Sequence, residues 1–135
     1  MSKDSQREIA KHTANKKPLL SIVVPVYNER QCLPGLYERI NSVLKSVAVE
    51  SELVLVDDGS KDGSDEWIAS LALRTTNVRA VRLSRNFGKE AALTAGIDHA
   101  SGDAVIILDA DLQDPPELIP QMLQAWHEGA DVVAM

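Results

Sequence analysis

From Leu19 onward the chain alternates short apolar runs with amphipathic segments, and no other feature of the sequence restricts its fold so tightly. Leu20 to Val26 (LSIVVPV), Leu53 to Val56 and Val105 to Leu108 are apolar on both faces, which predicts strands covered on both sides. Val78 to Leu83 alternates apolar residues with arginine and is expected nearer a sheet edge, and Asp131 to Met135 opens a fifth strand. Between them, Leu33 to Val47 carries apolar residues at the three-and-four spacing of a helix with one buried stripe. Ser64 is placed to cap a second helix with Asp65 and Glu66 in its first turn. Gly88 to Ala100 reads as a third, packed through small residues. Asp114-Pro115-Pro116-Glu117 opens a fourth with an acidic cap and a proline at the first helical position, and Gly129 ends it. Pro120 lacks a backbone N–H and is expected to kink that last helix. Strict alternation of this kind predicts an α/β fold: a mostly parallel sheet with helices on both faces.

In such sheets ligands bind beyond the carboxyl ends of the strands. Each of the first four predicted strands ends in a polar cluster: Tyr27-Asn28-Glu29, Asp57-Asp58-Gly59-Ser60, Arg85-Asn86-Phe87-Gly88-Lys89 and Asp109-Ala110-Asp111. All four fall on one rim and together define a candidate site. Asp109 and Asp111, two residues apart at a strand end, share a face and can converge on one cation, with Gln113 as a further oxygen donor. Mg²⁺ or Mn²⁺ suits such oxygen ligands when substrate phosphates complete the shell. Of Asp57 and Asp58, one is expected to serve the turn and the other a ligand, where a carboxylate can accept from the imino N–H of uracil or guanine. Tyr27 can stack on a base or pack half-buried, and Asn28 can stabilise its turn. Arg85 and Lys89 can approach a diphosphate, Arg85 being preferred, and Gly88 lets a backbone come close.

Charge sharpens this reading. The net charge is −6, yet residues 1–18 hold five Lys/Arg against two acids, and residues 19–135 hold nine against eighteen. An acidic body argues against a general nucleic-acid surface. It also repels a phosphorylated ligand unless a divalent cation intervenes. Residues 1–18 are expected to form a disordered polar tail without the apolar core of a secretory signal. No run approaches the roughly 18 apolar residues of a bilayer span. Cys32 is the single cysteine and is read as a packing residue in a reducing, cytoplasmic setting. His99 and His127 read as surface or satisfied helix histidines, and no His/Cys spacing suggests zinc.

PVYNE (Pro25 to Glu29), VDDGS (Val56 to Ser60), SRNFGKEAALTAG (Ser84 to Gly96) and DADLQDPPE (Asp109 to Glu117) together resemble the family 2 glycosyltransferases of GT-A (Rossmann-like) fold, over Leu20 to Met135. The last two stretches look like the branch of dolichol-phosphate mannose synthases and bacterial undecaprenyl-phosphate glycosyltransferases. The resemblance implies that Pro25, Tyr27 and Glu29 line the nucleotide pocket, that Asp58, with Asp57, addresses the base, and that Asp109, Asp111 and Gln113 hold Mg²⁺ or Mn²⁺ against the diphosphate. It implies a UDP- or GDP-sugar donor, a polyprenyl-phosphate acceptor, displacement at the anomeric carbon with inversion, and work at the cytoplasmic face of the inner membrane in lipid-linked glycan or cell-wall biosynthesis. On the same basis residues 19–135 are expected to be the donor-binding part, truncated after the fifth strand, with the acceptor part absent and the isolated chain inactive.

Rival α/β enzymes fit less well. Haloacid dehalogenase-like phosphatases and response-regulator receivers carry their acids after strand one, where this chain has Tyr27-Asn28-Glu29. A dinucleotide-binding enzyme needs a glycine-rich turn there, and no P-loop occurs. The alternative from another class is a non-catalytic nucleotide-binding or interaction module of glycosyltransferase ancestry, distinguished by metal-dependent nucleotide affinity.

Overall fold

Each apolar run of the sequence becomes a strand in the computed structural model, which describes residues 18–111, 115–127 and 133–134. The strands are β1 (Leu19–Val26), β2 (Glu50–Asp57), β3 (Val78–Arg82), β4 (Ala104–Ile107) and β5 (Val133–Ala134). The helices are α1 (Leu33–Leu44), α2 (Ser64–Arg74), α3 (Lys89–His99) and α4 (Ile119–His127), the last entered through a 3₁₀ turn at Pro116–Leu118. The sheet order is β3-β2-β1-β4-β5. Every pairing is parallel, with Ile22 opposite both Leu53 and Ile106. The chain thus builds outward from β1 to β3 on one side, then returns to place β4 on the other side of β1.

The strand period of two sorts the core into two faces. Ile22, Val24, Leu53, Leu55 and Ile106 pack with α1, α2 and α4, through residues such as Leu36, Ile40, Ile68 and Met122. Val23, Val54 and Val56 face α3 and pack on Ala92 and Leu93. Burying each such aliphatic side chain stabilises the fold by about 1.5–3 kcal/mol, so the two faces supply the main drive for folding. The second face is thin because α3 lies close: a Cβ at Gly96 would collide with the side chains of Val23 and Val56. That is why the helix is built from small residues.

At the amino ends of the strands a polar clasp closes the fold. The buried Ser21 hydroxyl donates to Glu52 Oε2 at 2.6 Å and accepts from Gly102 N at 2.8 Å. The same Glu52 oxygen accepts from Ser101 N at 2.5 Å, and Asp103 Oδ2 accepts from Leu19 N at 2.8 Å.

Several local readings change. Helix α1 stops at Leu44 rather than Val47, and β2 begins at Glu50 and carries Asp57 as a paired strand residue. Gly63, at φ 94°, takes the cap position of α2, so Ser64 is not the cap. Instead its hydroxyl donates to Asp62 Oδ1 at 2.6 Å and accepts from Glu29 N at 3.2 Å, tying two loops together. Pro120 falls in the first turn of α4, where its missing N–H marks the change from 3₁₀ to α geometry rather than an interior break. The expected cap Asp114, the helix end at Gly129, Gln113 and the tail at residues 1–17 lie outside the described residues. Pro18 is described, and its carbonyl accepts from Glu50 N at 3.1 Å.

Candidate functional site

The site begins where a ladder ends. Pairing between β1 and β4 runs from Leu20 to Val23, and Leu108 N still reaches Val23 O at 3.0 Å. Peptide groups alternate sides along a strand, so the next group on that side belongs to Pro25, which has no N–H to donate. Pairing with β2 continues through Val26. The strands β1 and β4 therefore part at their carboxyl ends, at the point where the strand order reverses, which is where open α/β sheets take ligands. A cavity of about 370 Å³ occupies the gap, lined by residues that include Pro25, Tyr27, Glu29, Asp58, Lys89, Asp109 and Asp111.

The loop after β1 is braced from the neighbouring loop. Asn28 adopts φ 53°, a left-handed conformation that asparagine tolerates, and its Oδ1 accepts from Lys61 N at 2.8 Å. Asn28 N donates to Ser60 Oγ at 2.9 Å, and Arg30 N donates to Asp62 Oδ2 at 3.0 Å. Burial works to raise the Asp62 pKa, but hydrogen bonds from the Ser64 hydroxyl and the Arg30 and Ser64 N–H groups outweigh it and hold the carboxyl below its ordinary range. Tyr27 stands 47% exposed on the rim, its ring available rather than packed away.

The paired acids at the end of β2 are placed differently. Asp57 is buried; its Oδ2 accepts from Ser60 N at 3.2 Å, its Oδ1 has no hydrogen-bond partner, and it does not line the cavity. Asp58 is also buried but lines the cavity, and it grips the loop before α3. Its Oδ1 accepts from Phe87 N at 2.8 Å, and its Oδ2 accepts from Gly88 N at 3.1 Å and from Asn86 Nδ2 at 3.2 Å. The two loops interlock at Gly59, φ 75°, where a Cβ would run into the backbone of Arg85 and Asn86. At Gly88 the demand is conformational instead: φ is 104°, and a Cβ there would meet no protein atom.

With its start fixed by that grip, α3 delivers Lys89 to the cavity. Lys89 Nζ lies 2.6 Å from Asp109 Oδ1. Arg85 goes elsewhere: its guanidinium stacks 4.2 Å from the centroid of the Phe87 ring and, unlike Lys89, it does not line the cavity. Asp109 is partly buried and Asp111 exposed, and both border the cavity. Among the described residues no group of three or more His, Cys, Asp or Glu forms a metal cage. Two carboxylates at an open cavity fit an ion such as Mg²⁺ or Mn²⁺, which keeps positions for phosphate and water. The donor set is all oxygen, and Asp109 already attracts a cation.

One contributor is recognisable only in the structure. Asn86 was visible only as a member of a rim cluster, and its role as a donor to Asp58 depends on a loop 28 residues away. Cys32, read as a packing residue, sits at the start of α1 beside the site; burial first, then the Glu29 hydrogen bond and the charges of Glu29 and Asp111, push its thiol pKa up. His99 is the satisfied helix histidine expected, its Nδ1 2.8 Å from Ala95 O, while the His127 side chain lies outside the described set. Among the described residues no helix is long and apolar enough to cross a membrane.

Comparison with known proteins gives this geometry relatives. The family model described as Glycosyl transferase family 2 matches residues 21–135. The chain is 47% identical over 114 residues to a bactoprenol glucosyl transferase of Shigella phage SfV, covering 84% of this chain and 37% of that protein. It is 49% identical over 116 residues to an undecaprenyl-phosphate 4-deoxy-4-formamido-L-arabinose transferase of Pseudomonas fluorescens (strain SBW25), covering 85% and 34%. A solved mannosyltransferase of Pyrobaculum calidifontis, in complex with GDP-Man and Mn²⁺, is similar at a TM-score of 0.59 and 26% identity, over 72% of this chain and 28% of that one. The chain thus spans little more than a third of the length of these curated relatives.

Proposed function

The chain belongs to glycosyl transferase family 2, and from that premise we propose that it is the donor-binding part of a glycosyltransferase that moves a sugar from a nucleoside diphosphate to a polyprenyl phosphate. The observation that carries this reading is the convergence of Asp58, Lys89, Asp109 and Asp111 on one cavity at the switch point of the sheet. The lipid acceptor is supported by relatives named for bactoprenol and undecaprenyl phosphate. A lipid-phosphate acceptor implies work at a membrane surface, on the cytoplasmic side where nucleotide sugars are met.

In this reading Pro25, Tyr27 and Glu29 border the nucleotide, with the Tyr27 ring stacking on the base. Asp58 reads the base, and Asp57 serves the turn. Lys89 takes the diphosphate in preference to Arg85. Asp109 and Asp111, with Gln113, hold Mg²⁺ or Mn²⁺. The bound cation supplies charge neutralisation to the departing nucleoside diphosphate as the anomeric carbon is displaced with inversion. An acceptor phosphate is already an anion at neutral pH, so no strong general base is required of this rim.

Hydrogen-bond capacity favours uridine over guanosine. A carboxylate offers about four acceptor positions. Three on Asp58 are taken by Asn86, Phe87 and Gly88, which leaves one, on Oδ1. Uracil presents a single imino N–H to such a site, whereas guanine presents two adjacent N–H groups that call for both oxygens.

Calorimetry with UDP and GDP, each with and without Mn²⁺, tests the reading. UDP binding that depends on Mn²⁺, and is tighter than GDP binding, is the expected result. Asp111→Ala should weaken the Mn²⁺-dependent affinity by about 100-fold or more, since loss of even outer-shell partners of metals costs about 10–100-fold. No affinity for either nucleotide under any condition would favour the non-catalytic interaction module instead.

A further inference from the structure

We infer that Lys89 is a resident counter-ion of the metal site, which keeps free divalent cations off the Asp109–Asp111 pair until they arrive with a diphosphate. The inference rests on the donor-binding reading above and deepens it. Its basis is an ion pair at the cavity: Lys89 Nζ lies 2.6 Å from Asp109 Oδ1, and both residues line the cavity that Asp111 also borders. An ammonium at that distance takes an acceptor position on the carboxylate that a metal would need. It also adds a like charge beside any cation that Asp111 attracts.

The lysine is not there by chance of a long side chain. It is the first residue of α3, and the two peptide groups before it are pinned to Asp58 through Phe87 N and Gly88 N. Gly59, against the backbone of Arg85 and Asn86, fixes the same segment from the other side. The backbone that carries Lys89 is thus anchored on two counts, while its side chain stays 59% exposed at the cavity. A metal–diphosphate chelate carries its own anion, so when it docks Lys89 exchanges one oxyanion for another, leaving Asp109 for the diphosphate. A bare cation offers no such exchange. The site therefore discriminates against empty metal loading and makes metal and nucleotide enter together.

The test is Mn²⁺ binding to the 135-residue chain without nucleotide, read by electron paramagnetic resonance of the free ion and by calorimetry, in the wild type, K89M and K89R. K89M should bind Mn²⁺ alone roughly 10-fold more tightly than wild type, about 1.4 kcal/mol. K89R, which keeps the charge, should stay near wild type. With Mn²⁺ saturating, K89M should bind UDP more weakly than wild type, so that one substitution moves the two affinities in opposite directions. Circular dichroism on each variant checks that the fold is retained, as expected for an exposed side chain. Mn²⁺ affinity in K89M no tighter than in wild type overturns the inference. If wild type also fails to bind UDP with Mn²⁺, the donor-binding reading falls with it; if wild type binds UDP with Mn²⁺, only the counter-ion role is lost.

Discussion

At the amino end of the sheet, Glu52 accepts from the Ser21 hydroxyl and the Ser101 N–H through one oxygen, and Gly102 N completes the ring of donors on Ser21. At the carboxyl end, Asp109 and Asp111 border a cavity, and the cation nearest Asp109 is held on a flexible stem. Both ends are polar, and both use acids to join segments far apart in sequence. The floor is a closed network in which protein donors answer protein acceptors. The rim is an open one, in which backbone donors position Asp58 and the acids border the cavity. Asp58 stands between the two types: three of its acceptor positions hold the protein together, and the fourth remains. A closed polar network serves stability, and one left incomplete toward a cavity serves binding.

The sharpest way to break this contrast is at the floor. Glu52→Ala leaves the Ser21 hydroxyl and the Ser101 N–H without their acceptor, and should lower unfolding stability by about 2–3 kcal/mol while leaving the UDP dissociation constant unchanged. Denaturant titration and calorimetry measure the two; a matching loss of UDP affinity would show that the ends are not separable. Asp58→Asn probes the intermediate case. It replaces one acceptor oxygen by an NH₂ group that opposes the N–H groups of the 86–88 loop, and should cost both about 1 kcal/mol of stability and about 10-fold in UDP affinity. A change confined to stability would make Asp58 part of the closed class.

The smallest effect is expected at the Arg39–Glu117 pair, which joins α1 to the 3₁₀ turn at 2.6 Å on the open surface. The Arg39 hydrogen bond holds the Glu117 carboxyl below its ordinary range. Its contribution is complete above the usual glutamate pKa and disappears as pH falls through the lowered one. Glu117→Gln should therefore alter the unfolding midpoint barely measurably at neutral pH, and the difference from wild type should vanish in acid. A pair this exposed belongs to neither end of the comparison, and a large neutral-pH effect would be evidence that α4 docks through charge rather than through Ile119, Met122 and Leu123.

The sequence by itself determined the strands, the helices and the side of the sheet on which the chemistry lies. Periodicity is a local property, so Leu20 to Val26 or Leu33 to Leu44 can be read without knowing their neighbours, although α1 ended three residues early and Ser64 was misassigned as a cap. Parallel pairing then brings every carboxyl end to one rim, which is why the sequence alone places Asp58, Lys89, Asp109 and Asp111 together. The part Pro25 plays in opening the cavity is clear only with the strand order. Tertiary structure alone decided which acid of Asp57 and Asp58 meets the cavity, which cation of Arg85 and Lys89 reaches Asp109, and which acceptor braces the Glu29 N–H. Those choices rest on contacts between loops 20 to 35 residues apart, where register, twist and the positive-φ glycines Gly59, Gly63 and Gly88 turn side chains toward or away from one another. No pattern within a single segment encodes them, because each is a property of two backbones meeting.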